Sequence, residues 1–145
     1  MTAATVLVFD GHCGFCTRAV GWLLRLDRRH RLITLPYQLP GVPQRYGLAP
    51  DDCRTAAWTF TPDGRWFRGA GAINAALATV VGNRLPLWIY RLPVIGWVQD
   101  AAYDWIARNR RLFPGVTPWC SAHPDAGCDA DTPPVREGSV RRRGR

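Results

Sequence analysis

Lysine is absent from this chain, and glutamate occurs once, at Glu137. Every one of the 19 residues counted as lysine or arginine is therefore arginine. The formal net charge is +8, but the arginines are scattered and no nucleic-acid-binding motif accompanies them. The excess fits the coding bias of a GC-rich bacterial genome as readily as a binding need, and no nucleic acid is expected as a partner. No secretory leader is expected either. Met1-Thr2-Ala3-Ala4 has no basic segment and runs directly into an apolar stretch. No apolar run reaches the ~18–20 residues of a membrane-spanning helix. The most apolar window, 85–98, is broken by Pro86, Arg91, Pro93 and Gly96. These absences lead us to expect a cytoplasmic protein. Internal repeats are lacking too, which excludes repeat architectures.

What is present suits one globular domain. A chain of 145 residues with 47% hydrophobic content can bury a core. The 14 glycines and 12 prolines imply frequent loops. Five cysteines in a reducing compartment argue against a structural disulfide framework and for a catalytic or metal-binding role. Two of them, Cys13 and Cys16, stand in a C-x-x-C spacing within Phe9-Asp10-Gly11-His12-Cys13-Gly14-Phe15-Cys16.

That stretch lies between two patterned segments. Residues 4–9 are apolar and β-branched and read as a buried strand ended by Asp10-Gly11. Residues 14–29 read as a helix. Phe15, Ala19, Trp22, Leu23 and Leu26 form its apolar stripe, widened by Val20 and Leu24. Residues 32–35 make a second strand, so the first three elements form a β-α-β unit with parallel strands. A Pro- and Gly-rich loop over 36–50 holds at most one helical turn. Residues 56–61 and 65–68 flank Pro62-Asp63-Gly64 as a β-hairpin. Helices follow over 72–81, 87–92 and 95–112, the last with Val98, Ala102, Trp105 and Ile106 as its inward stripe. From residue 122 the chain is rich in Pro, Asp and Arg and reads as disordered. The expected division is a domain over 1–121 and a tail over 122–145.

The fold class that results is α/β: β-α-β, then β-β-α, then additional C-terminal helices. This is a thioredoxin-like order, with the C-x-x-C at the start of the first helix. In its residues the chain resembles the DCC-type thiol–disulfide oxidoreductases, thioredoxin-like proteins with an Asp-x-x-Cys-x-x-Cys signature. Asp10, Cys13 and Cys16 supply that signature. Asp63-Gly64, Arg68-Gly69 and Ala70-Gly71-Ala72 are similar to the family's hairpin and following helix start. Tyr103 with Ala107-Arg108-Asn109-Arg110 is similar to its C-terminal segment. The match spans about 5–113 and implies a protein disulfide reductase type of activity. Disulfide-containing proteins or small molecules would be its substrates, and the electron donor is open. No cofactor and no metal is implied.

On this reading Cys13 is the nucleophile. Capping the helix, its sulfur would face unpaired N–H groups and the positive dipole end, which favour thiolate. Cys16 is the resolving thiol. Asp10 either relays a proton for Cys16 or shapes the loop as an Asx turn, with Gly11 giving backbone freedom. His12 either tunes the thiolate or is an exposed loop residue. Thioredoxins themselves place a cis-proline before the hairpin. Here Thr55 stands near that position, as a candidate substrate-facing residue.

Cys53 has no motif around it. Cys120, His123 and Cys128 have metal-like elements but lack a fourth ligand, and read as bystander thiols or a disulfide formed under oxidation. His30 reads as a solvated helix end. Trp22 and Trp105 are expected in the core. Trp88, Tyr90 and Trp97 are expected there by default. Exposed instead, with Arg84 and Arg91 beside them, they would make a patch for a membrane surface or a partner, which is the competing reading of the protein: an interaction module docking on a membrane protein or acidic partner, its cysteines non-catalytic.

Overall fold

The computed structural model describes residues 4–128. Its sheet has four strands: β1 Thr5–Phe9, β2 Leu32–Pro36, β3 Trp58–Phe60 and β4 Trp66–Arg68. They lie in the order β2-β1-β3-β4. β1 pairs parallel with β2, Thr5 opposite Leu32 and Phe9 opposite Pro36. It pairs antiparallel with β3, Leu7 opposite Thr59, and β3 pairs antiparallel with β4. The expected β-α-β and β-β-α units are therefore joined in one mixed sheet, consistent with a thioredoxin-like fold. Because β1 is central, the chain leaving Phe9 emerges at the middle of the sheet's carboxyl edge, where ligand and active sites of open α/β sheets lie.

Helix α1 spans Gly14–Leu26 and α4 spans Ala70–Val81. α4 crosses all four strands and packs beside α1. Leu7, Phe9, Val20, Leu23, Leu32, Ala76 and Val80 form the core between them. The inward face of α1 thus runs through Val20 and Leu23, whereas Trp22, Leu24 and Leu26 are exposed. α1 also ends at Leu26 rather than Arg29. The buried Asp27 stops it, its carboxylate accepting from Arg31 N at 3.0 Å and Leu32 N at 2.9 Å. That turns the chain straight into β2. His30 lies in this turn, exposed, at φ 51°.

The loop after β2 holds one helical turn, α2 Val42–Arg45, as expected. A second short helix, α3 Pro50–Thr55, was not expected and delays β3 to Trp58. Its start is written in Ala49-Pro50-Asp51-Asp52: proline at the first helical position, two acids in the first turn, and Asp52 Oδ2 accepting from Ala49 N at 3.1 Å.

α5 Leu85–Tyr90 and α6 Pro93–Arg108 form a hairpin against α4. α6 is rotated relative to the expected stripe. Gly96 is buried, Gln99 Oε1 accepts from Asn74 Nδ2 at 2.6 Å, and Tyr103 Oη accepts from Ala57 N at 2.9 Å. Val98 and Trp105 face outward, as do Trp88 and Trp97, so these tryptophans are not core.

After the 3-10 turn Arg110–Leu112, the chain returns to the β1–α1 junction as a strap. Val116 N donates to Gly14 O at 3.2 Å, Trp119 N to Thr17 Oγ1 at 3.1 Å and Cys120 N to Gly11 O at 3.0 Å. α7 Trp119–Ala122 and a 3-10 turn Pro124–Ala126 complete the strap. The disordered tail expected over 122–145 lies mainly outside the described residues. Within 122–128 the chain is turned back, and Cys128 is disulfide-bonded to Cys120. No helix among the described residues is long and apolar enough to cross a membrane.

Candidate active site

The β1–α1 junction is built by hydrogen bonds to a single loop. Asp10 Oδ1 accepts from His12 N at 2.9 Å, closing an Asx-type turn, and from Gln38 Nε2 at 2.7 Å. Gln38 Oε1 in turn accepts from Gly11 N at 2.9 Å. Gln38 is buried and sits just past β2, so the second strand fixes the loop that leaves the first. Gly11 is needed for space rather than for backbone freedom. A Cβ there would lie 2.7 Å from Pro36 Cβ and 2.8 Å from Cys120 Sγ.

Cys13 is the N-cap of α1, and its sulfur accepts from Cys16 N at 3.3 Å. The exposed helix terminus thus meets the sulfur directly. The Cys13 thiol is lowered to about 6. The hydrogen bond from the Cys16 side chain is the largest cause; the Cys16 backbone N–H and the Arg110 guanidinium add to it, against burial and the Asp10 carboxylate. Cys16 moves strongly the other way. Its hydrogen bond to Cys13 raises it most, followed by burial and the charge on Cys13, with Arg110 opposing. One thiol is thus poised to ionise and the other to keep its proton.

Arg110 ties these groups together. One guanidinium nitrogen lies 3.2 Å from Asp10 Oδ2 and 3.3 Å from Arg54 O; the other lies 3.5 Å from Cys16 Sγ. Burial works against the charge of Arg110, but Cys16, Asp10 and Cys13 outweigh it and hold it charged. Asp10 therefore meets the dithiol through Arg110 and makes no hydrogen bond to either sulfur among the described residues.

Behind Cys16 lies a largely apolar cavity of about 270 Å³, lined by Phe9, Phe15, Cys53, Tyr103 and Ile106 among others, with Arg110 and Asp10 also on its wall. Thr55 lines it too, at the end of α3, its hydroxyl donating to Asp52 O at 3.1 Å and accepting from Arg68 Nη2 at 3.3 Å. No peptide bond among the described residues is cis. Cys53 is buried in the same wall, and burial raises its thiol to about 11, with Asp52 adding to the shift. Cys13 lines a second, more polar cleft with exposed His12, Arg111, Gly115 and Val116.

The sequence pattern of the DCC1-like thiol-disulfide oxidoreductase family matches residues 7–116. The chain belongs to that family. No curated protein and no solved structure gives a match. Membership implies thiol–disulfide redox chemistry on disulfide-containing substrates, and the two C-x-x-C thiols of this DCC1-like protein lie together in the arrangement just described. The family-like segment Tyr103…Arg110 acquires a physical reason: Tyr103 pins the backbone at Ala57 ahead of β3, and Arg110 reaches the dithiol. Arg110 and Gln38 were not recognised as site residues from sequence. Gln38 carries no local signal, whereas Arg110 lies in the family-like segment Ala107-Arg108-Asn109-Arg110. Of the two readings of Cys120 and Cys128, bystander thiols or a disulfide, the structure has the disulfide, which takes two of the three candidate metal ligands. That bond lies beyond the residues matched by the DCC1-like pattern.

Proposed function

We propose that the protein is a thiol–disulfide oxidoreductase of the protein-disulfide-reductase type, with Cys13 as nucleophile and Cys16 as resolving thiol. The observation that carries this is the capping of α1 by Cys13, with the Cys16 N–H on its sulfur. The Cys13 thiolate attacks one sulfur of a substrate disulfide. The substrate S–S bond breaks, one substrate sulfur leaves as thiolate, and a mixed disulfide forms. Cys16 then loses its proton and attacks Cys13 Sγ. The second substrate sulfur leaves, and the protein is left as the Cys13–Cys16 disulfide. Two electrons pass to the substrate, and an external reductant must restore the dithiol.

In this scheme Asp10 is a positioning residue. It shapes the loop through His12 N and Gln38, and it aims Arg110 at Cys16. Arg110 stabilises the Cys16 thiolate that resolution requires. Thr55 and the cavity wall would meet the residues flanking the substrate disulfide. His12 flanks the nucleophile from the solvent side.

Trapping tests the assignment. Cys16→Ser protein should accumulate mixed disulfides with added disulfide substrate, whereas Cys13→Ser protein should not. Equal trapping by both variants contradicts the assigned roles. Insulin-type reduction abolished in Cys13→Ala separates the enzyme from a non-catalytic docking module.

A further inference from the structure

Helix α6 is amphipathic in the wrong sense for a helix that covers a core. Apart from Ile106, which lines the cavity behind Cys16, its inward positions are small or polar: Gly96, Gln99 and Tyr103. Its apolar stripe points to solvent. Val94 is 74% exposed, Trp97 72%, Val98 51% and Trp105 58%. With exposed Ala101 they fall at the i, i+3, i+4, i+7, i+11 spacing of one helix face. Over 16 residues that face is about 24 Å long. On α5 and at the corner Leu85, Trp88 and Leu92 are also more than half exposed, and Trp88 lies with Arg84 and Arg91 along an open cleft that Asp63 and Arg65 share. At the other end Trp105 packs edge-on against Phe113 at 5.9 Å, and Phe113 meets Phe15 at 5.3 Å, beside the dithiol.

The charge around this face is one-sided at its α5 end. Residues 84–99 contain Arg84 and Arg91 and no acid. Neither arginine is in an ion pair among the described residues. The nearest acid along the chain, Asp100, accepts from Tyr90 Oη at 2.7 Å. Arg84 and Arg91 therefore leave that end of the face cationic. An anionic surface would complement them. Exposed tryptophans with arginines beside them match the boundary between headgroups and acyl chains.

We propose that the α5–α6 face is a docking surface for an anionic lipid bilayer. α6 lies along the membrane plane, Trp88 and Trp97 sit at headgroup depth, and Arg84 and Arg91 face the lipid phosphates. The Trp105–Phe113–Phe15 contact leads from this face to the C-x-x-C loop, so docking holds the site close to the bilayer. The proposal does not depend on the redox reading.

Vesicle co-sedimentation of the full chain tests it, with phosphatidylglycerol vesicles against phosphatidylcholine vesicles. Binding to the anionic vesicles that weakens as salt is raised is expected. Arg84→Gln with Arg91→Gln should weaken it about tenfold or more, since each basic residue near an anionic surface contributes about 1 kcal/mol. Val94→Ser with Trp97→Ser should abolish it, with the helical circular dichroism retained. No sedimentation with either vesicle overturns the proposal. So does equal, salt-independent binding to both, or a dimer at sedimentation equilibrium that Trp97→Ser dissolves.

Discussion

Arg110 touches both the Asp10 carboxylate and Cys16, and in the proposed exchange its charge favours the second half. Cys16 is half-buried and hydrogen-bonded to Cys13, both of which hold its proton on. Arg110 is the nearby cation that opposes this. Arg110→Met should slow resolution of the mixed disulfide about tenfold, the effect of losing a charge-assisted contact of about 1.4 kcal/mol. The Cys13 titration should move upward in the same variant, because Arg110 also lowers Cys13. Quenched-flow trapping of the mixed disulfide measures the first, and pH-dependent alkylation the second. An unchanged resolution rate would reduce Arg110 to a structural tie. Gly11 is a different kind of residue, fixed by its neighbours' volume. Gly11→Ala drives a methyl into Pro36 and the Cys120 sulfur, and overpacking of this kind costs about 1–3 kcal/mol. A depressed thermal midpoint is expected; no change would mean that the strap yields.

At the scale of elements, the β1–α1–β2 unit was legible in the sequence because its two periodicities differ and turn residues separate them. The site loop was legible for the same reason. Cys13 and Cys16 are local to one junction, and a helix start dictates what a cap sulfur meets. α3 was missed although its start signals were present, because the surrounding Pro- and Gly-rich composition reads as loop. α6 was found but turned the wrong way. Periodicity identifies an apolar stripe and does not say which way it faces. Gln38 could not be read at all. Its partners, Asp10 and Gly11, are 28 and 27 residues away in sequence, and only the parallel pairing of β1 and β2 brings them together. The strap was equally hidden. Its backbone N–H groups donate to Gly11 O, Gly14 O and Thr17 Oγ1, and its disulfide closes a loop with sequence separation 8. Loop closure of that size stabilises by about 2–3 kcal/mol. Cys128→Ser should therefore lower the stability of the oxidised protein by about that amount in denaturant unfolding, and a stability equal to that of the unsubstituted protein would contradict the clasp.

For the molecule as a whole, the thiols give stability a pH dependence with a definite sign. Cys13 titrates near 6 in the folded, reduced protein, below the ~8.5 of an unfolded cysteine. Its contribution grows as pH rises between those values and is lost as pH falls through about 6. Cys16 and Cys53 are raised, so the folded state keeps protons that the unfolded chain releases, and stability falls above ~8.5. The thermal midpoint of the reduced protein should rise from pH about 6 to about 8.5 and decline beyond. A midpoint falling steadily across the whole range would contradict the opposed shifts.

That opposition is the core of the account, and the Cys13 titration tests it most directly. The fully reduced protein is alkylated with iodoacetamide for a fixed short time across pH, and labelling of the Cys13 peptide is followed by mass spectrometry. The expected half-maximal labelling lies near pH 6, with Cys16 unlabelled throughout. A Cys13 midpoint at the ordinary ~8.5, or Cys16 labelled first, would contradict the assignment of nucleophile and resolving thiol.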